Sequence, residues 1–532
     1  MATITNLRSR RSEAQLHALE VVEREIRAND HNGRRKYLKD FHCAFSSYES
    51  TLTPEELTQL VGGADIVLIG DYHALAASQR FAASLLEERA QPGDRPVVLG
   101  VETIFSRDQH ILDEWWRREI DEAELRQRIR FDLDWDYEWA PFYELLVTAR
   151  EHADAIYGLD CMPREDLRKI GARDRHAAHK IAEIRQRHPA AVILTLFGES
   201  HLAPGHLPRL LGEQLPGQRC LTVLQNVDAL YWQASGERQE WVGAVRVSDD
   251  VVCVFNSTPL EKYESYRLCL SRWSQGSEEE DKTTLDVTPT IYNLVDSLLR
   301  FLDINRYSSH NGTQPKFLVD LLPEVHGREG EGRLLRLLSK QKVTNHAIDA
   351  ILQRVEERGS IYLPQLNAFY VREFQMTYAA EESARFLHHA CRNLPSRANG
   401  HIALAGGPTD HFYLRVLEHA LAYFGSRVLY PARSAVREEE PSESPRAACA
   451  KLMQAAALAD GDAFDPTSEQ LGYAVGSRLY DAYLQGRVRR GTLRSVFLGH
   501  AEDPGRAREI CWRLVRKIHS PRRKSPTSGL NL

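Results

Sequence analysis

At 532 residues the chain exceeds what one hydrophobic core organises, and 42% hydrophobic with 27% charged residues is the make-up of ordinary globular protein. A net charge of −6 and a pI near 6.4 give no electrostatic case for nucleic acid or an anionic membrane. No run of about 18 apolar residues offers a membrane span.

Cysteines at 43, 161, 220, 253, 269, 391, 449 and 511 contain no Cys-x-x-Cys pair, which argues against a structural zinc site and a disulfide framework. Basic residues at the N-terminus have no apolar stretch behind them, so neither a secretory signal nor a lipoprotein leader is expected. Both points make the cytoplasm the expected location.

Residues 1–50 read as a helical arm. Leu16, Leu19, Val22 and Ile26 are spaced for a helix over 11–28, and Thr53-Pro54-Glu55-Glu56 is a helix start with proline at its first position. From 51 to 270 strands alternate with helices. Four apolar runs, 64–69, 96–101, 155–159 and 191–197, lead into Gly70-Asp71-Tyr72-His73, Glu102, Asp160 and Gly198-Glu199-Ser200-His201. Runs apolar throughout are what a parallel sheet covered on both faces requires, and ligands collect beyond the carboxyl ends of its strands. The expected fold class is therefore α/β, an open and mostly parallel sheet with helices on both faces.

Asp71, His73, Glu102, Asp160, Glu199 and His201 are expected to share one rim, where imidazoles and carboxylates bind a divalent metal or do acid–base chemistry. His206 is a secondary ligand candidate. Asp132, Asp134 and Asp136 imitate a calcium loop, but position six is not glycine and Tyr143 stands at position twelve, which rules that out. The segment 131–139 reads instead as an aromatic wall or lid. A fifth strand is expected over 220–226, and two short β stretches over 241–254 form an antiparallel edge.

Residues 271–285 read as a linker, 286–519 as a mainly α-helical region, and 520–532 as a disordered basic tail. Within the helical region Glu381 and His388, and likewise His411 and Glu418, are spaced by seven, so each pair lies on one helix face. Two such helices gathered antiparallel resemble a carboxylate-bridged metal site, although Glu-x-x-His is absent.

Over roughly residues 50–260 the sequence resembles the ChaN-like family of the haem-binding-uptake/Tiki superfamily, which also takes in erythromycin esterases. The resemblance rests on Gly70-Asp71-Tyr72-His73, Val98-Leu99-Gly100-Val101-Glu102 with Gln109, Trp139-Ala140-Pro141-Phe142-Tyr143, and Gly198-Glu199-Ser200-His201 with Gly205 and Pro208. Asp71 stands where the family usually has Glu, and the helical half lies outside the resemblance. The resemblance implies His73, Glu102 and His201 as the functional set, with Asp71 and Glu199 beside them and Tyr72 as a haem-side ligand.

The leading expectation is a domain binding haem or a divalent metal ion at the strand ends, linked to iron handling, with Tyr72, His73, His201 and His206 toward the cofactor. A second is a hydrolase of esters or amides, metal-dependent or with His and Glu as general base; a third is a scaffold whose helical half binds a partner. The expected partner is a small molecule or haem, not nucleic acid, with a homodimer left open.

Overall fold

The computed structural model describes residues 2–29, 36–90, 95–161, 170–237, 242–274, 286–304, 322–391, 408–433, 450, 453–456, 464–498 and 504–519. They divide into two compact units, residues 22–276 and residues 1–21 with 277–532. Most of the expected linker and the whole of the expected basic tail lie outside the described residues.

Among its described residues the first unit has eight strands: β1 (Ser50–Leu52), β2 (Ile66–Asp71), β3 (Val97–Phe105), β4 (Ala155–Asp160), β5 (Val192–Gly198), β6 (Cys220–Gln225), β7 (Ala244–Ser248) and β8 (Val251–Val254). They pair in the order β1-β7-β8-β6-β2-β5-β3-β4. All pairs from β8 to β4 are parallel, and only β7 and β1 at the far edge are antiparallel. The α/β fold and its antiparallel edge are as the sequence indicates.

Side-chain alternation explains why the strands are apolar throughout. Val67, Ile69, Leu99, Val101, Leu194 and Leu196 fill one face, under the helices Ala76–Arg89 and Trp139–His152. Ile66, Leu68, Val98, Ile193 and Phe197 fill the other, under the helix Ile170–Arg187. With helices on both faces no polar alternation survives. Each side chain buried this way contributes about 1.5–3 kcal/mol relative to exposure. The helix Pro54–Gly62 starts as its sequence indicates: Thr53 accepts from the Glu56 N–H, and the Glu56 carboxylate accepts from the Thr53 N–H at 2.8 Å.

Register then sets the site. Asp71 on β2 stands opposite Gly198 on β5, and Val101 on β3 stands opposite Leu196. The ends of three adjacent strands are thereby level. β3 does not stop at Glu102 but continues to Phe105, with an irregularity against β4 between Val101 and Phe105.

The second unit is mainly helical. Its long helices include Thr288–Leu302, Met376–Cys391, Pro408–Leu429 and Phe464–Leu484. Gly472 and Gly476 let the last two approach closely, because a Cβ at either position would collide with the helix 408–429. A small sheet of β9 (Glu324–His326), β10 (Ser360–Leu363) and β11 (Ala368–Val371) interrupts the helical pattern, which sequence periodicity did not indicate. Among the described residues no helix is long and apolar enough to cross a membrane, and no disulfide joins the cysteines.

Candidate functional site

Three of the expected residues meet at the strand ends. His73 follows β2, Glu102 sits on β3, and His201 lies in the 3-10 turn Glu199–Leu202 after β5. The Nε2 atoms of His73 and His201 each lie 3.7 Å from Glu102, the first from Oε2 and the second from Oε1. Gly198 stands between the three: a Cβ there would sit 3.0 Å from Glu102 Oε2 and 3.5 Å from both His73 Nε2 and His201 Cδ2. The lack of a side chain leaves a cradle walled by two imidazoles and a carboxylate.

Each imidazole is held from behind by its own carboxylate. His73 Nδ1 is 2.6 Å from Asp71 Oδ2, and the Gln79 amide donates to the other Asp71 oxygen at 2.5 Å. His201 Nδ1 is 2.5 Å from Asp174 Oδ1. Glu102 is anchored by the Arg173 guanidinium on Oε1 and by the Gly198 N–H on Oε2. Arg173 also grips both oxygens of Asp160, at 3.0 Å from Nε and 2.7 Å from Nη2.

Charge is concentrated in this space. Among the described residues, four carboxylates, Asp71, Glu102, Asp160 and Asp174, face one guanidinium, a net −3 with every carboxyl ionised and both imidazoles neutral. All five groups are buried. Burial pushes the Glu102 carboxyl up, but Arg173, His73, His201 and the Gly198 N–H more than offset it and hold the group at about 2. At Asp71 burial outweighs the lowering by His73, so its pKa is raised. At Asp160 burial likewise outweighs Arg173.

The other expected residues stand apart from the cradle. Asp160 is spent on Arg173 and on the Cys161 N–H. Glu199 points the opposite way, with its two oxygens 3.0 and 3.1 Å from Lys262 Nζ. Tyr72 joins that second cluster, its ring 4.6 Å from the same ammonium and 6.1 Å from the Tyr266 ring. Burial raises its phenol well above the ordinary value, which disfavours the phenolate that iron ligation uses. His206 turns its Nδ1 to Asp174 at 2.8 Å, sharing that carboxylate with His201.

The segment 131–139 supplies a wall. Trp135 and Tyr137, with Phe142 from the following helix, bring their rings to 5.2, 5.3 and 6.4 Å from the His73 imidazole. Asp132 is paired with Arg126 at 2.7 Å.

Arg173 and Asp174 were missed by sequence reasoning. They lie on a strongly charged helix, and nothing in their spacing separates two buried charges from the solvated ones around them. The one available signal was that Arg173 and Asp174 each stand four residues before an alanine, Ala177 and Ala178, on a helix leading into the His201 strand.

In the helical unit the Glu381, His388, His411 and Glu418 set does not gather on one ligand. Glu381 is enclosed by Arg433 at 2.8 Å, Arg385 at 3.3 Å and the Tyr473 hydroxyl at 2.6 Å. The His388 ring packs on Phe497 at 6.1 Å, and Glu418 pairs with Arg415 at 3.1 Å. Among the described residues no three His, Cys, Asp or Glu side chains stand at coordination geometry as they are.

Comparison with known proteins agrees with the sequence resemblance. Residues 57–192 match the family model described as Haem-binding uptake, Tiki superfamily, ChaN. A solved structure described as "Cofacial heme binding to ChaN of Campylobacter jejuni" is similar at 14% identity, over 34% of this chain and 92% of that one, with a TM-score of 0.25. No curated protein matches the chain in sequence.

Proposed function

We propose that this chain, ChaN-like in its N-terminal half, binds a divalent metal ion, iron(II) foremost, through His73, Glu102 and His201. The observation that carries the reading is the buried group of four carboxylates around one guanidinium, in which each imidazole has its Nδ1 engaged by a carboxylate and its Nε2 directed at Glu102. Buried charge of one sign is costly unless compensated. A divalent cation, or protons on both imidazoles, offsets two of these charges.

Two histidines and one carboxylate are the donor set that non-haem iron(II) favours. Carboxylates behind the imidazoles fix the tautomer and raise ligand basicity, as outer partners of metal-bound histidines do. Donors sharing an ion at ~2.1 Å stand about 3.0–3.4 Å from one another. The 3.7 Å separations here are wider by only a few tenths of an ångström.

Haem, the ligand of the similar ChaN structure, fits these residues less well. Glu102 lies 3.7 Å from the Nε2 of each imidazole, too close to both for a porphyrin to pass between the rings, and Tyr72 faces Lys262. Metal-free protein titrated with Fe2+, or Zn2+ as a redox-inert probe, should take up one ion per chain, and Glu102→Gln should abolish the uptake. Equal binding by both proteins sinks the proposal.

A second reading, hydrolysis of an ester or amide, has its own observation. The carboxylate-backed imidazoles are oriented as general bases are. A divalent ion held by His73, Glu102 and His201 would supply Lewis acidity and lower the pKa of water. In the metal-free alternative, His73 accepts the proton of water at Nε2 while Asp71 steadies the imidazolium. Ester and amide screens in which no activity disappears with Glu102→Gln remove this reading.

A further inference from the structure

We infer that Asp174 is a positioning residue that sets the tautomers of His201 and His206 together, leaving Nε2 of His201 as a lone-pair donor toward Glu102. The inference rests on the metal-binding reading only for its consequence, since the tautomers exist without an ion.

A carboxylate has only acceptors. Asp174 is 2% exposed at its side chain and offers Oδ1 to His201 Nδ1 at 2.5 Å and Oδ2 to His206 Nδ1 at 2.8 Å. Both imidazoles must therefore present Nδ1–H, and in a neutral ring the other nitrogen is then the acceptor. His201, only 4% exposed, points that acceptor at Glu102, whereas His206 at 17% is the outer ring of the pair. Asp71 serves one imidazole and an amide; Asp174 serves two imidazoles. That double demand makes position 174 sensitive to a change that leaves its shape untouched.

Asp174→Asn keeps the volume but has a single acceptor oxygen and an NH2 donor. It can accept from one imidazole only, so the other must offer a bare Nδ1 and carry its proton on Nε2. Long-range proton–nitrogen correlation spectra of the full chain, with ring signals assigned by His201→Gln and His206→Gln, read this directly. In the wild type both rings should show protonated Nδ1. In Asp174→Asn at least one should switch, and Zn2+ affinity should fall about 10–100-fold, the usual effect of losing an outer partner.

Adding His206→Ala to Asp174→Asn removes the competitor, so the amide oxygen serves His201 alone and its Nδ1–H form and Zn2+ affinity should recover. A purely structural role predicts further loss in the double variant. Unchanged tautomers in Asp174→Asn, or no recovery on adding His206→Ala, overturn the inference. A wild type that binds no Zn2+ but shows these tautomer changes overturns the metal reading alone.

Discussion

Gly198→Ala tests whether the space between the imidazoles is where the ligand sits. The backbone at Gly198 has φ −49° and ψ 129°, which alanine adopts without strain, so any effect comes from the methyl group. That methyl would lie 3.0 Å from Glu102 Oε2, closer than ordinary contact, and 3.5 Å from His73 Nε2 and His201 Cδ2. Overpacking of this kind costs about 1–3 kcal/mol, and the stiffer unfolded chain returns about 0.4–1 kcal/mol. The net change is at most about 2–3 kcal/mol, a drop in Tm of several degrees with the fold intact. Binding suffers more, because the methyl fills the volume that a ligand of all three groups must occupy; a loss of at least about 100-fold, near 3 kcal/mol, is expected. Calorimetric titration with Zn2+ beside a thermal melt separates the two effects. Gly205→Ala is the control, since a Cβ there meets nothing within 4 Å. A Gly198→Ala protein that binds as tightly as wild type refutes the placement of the ligand.

Arg173→Met leaves Glu102 and Asp160 buried without their cation; a loss of about 3–5 kcal/mol is expected in urea unfolding of the full chain. Glu102, held at about 2 against an ordinary 4.5, stabilises the fold above pH 4.5 and loses that contribution as pH falls toward 2. Asp71 and Asp160 have the opposite sign: raised above the ordinary 3.8, they favour folding when protonated and lose that contribution as pH rises through their pKa values. Urea midpoints measured from pH 6 down to pH 2 should fall less steeply in Glu102→Gln than in wild type. In the helical unit, Glu381→Gln removes the carboxylate that Arg358, Arg385 and Arg433 share, and denaturant titration should show a loss of about 3–5 kcal/mol. Hemin titration should give no bis-histidine spectrum that depends on His201, because Glu102 lies between the two rings.

What the sequence discloses here follows strand chemistry. Apolar runs with both faces covered are conspicuous, and a polar residue at their exit is conspicuous by contrast, so the strand-end position of His73, Glu102 and His201 is legible in the sequence. Direction was not. Glu199 is next but one to His201, yet the 3-10 turn sends it to Lys262, and Tyr72, adjacent to His73, faces the same ammonium. Arg173 and Asp174 were hidden because a buried charge on a helix looks in sequence like a solvated one. The β9–β11 sheet escaped notice because its strands are only three or four residues long, too short for a period to show. The seven-residue spacing of Glu381 and His388 put them on one face as expected, but arginines from other elements claimed the carboxylate.

Zn2+ titration of metal-free wild type, His73→Ala and His201→Ala, followed by calorimetry, bears most directly on whether one ligand is shared by residues far apart in sequence at the ends of adjacent strands. One ion per wild-type chain and a large loss of affinity in each single variant is the expected result. An ion bound as tightly without either histidine as with both contradicts it.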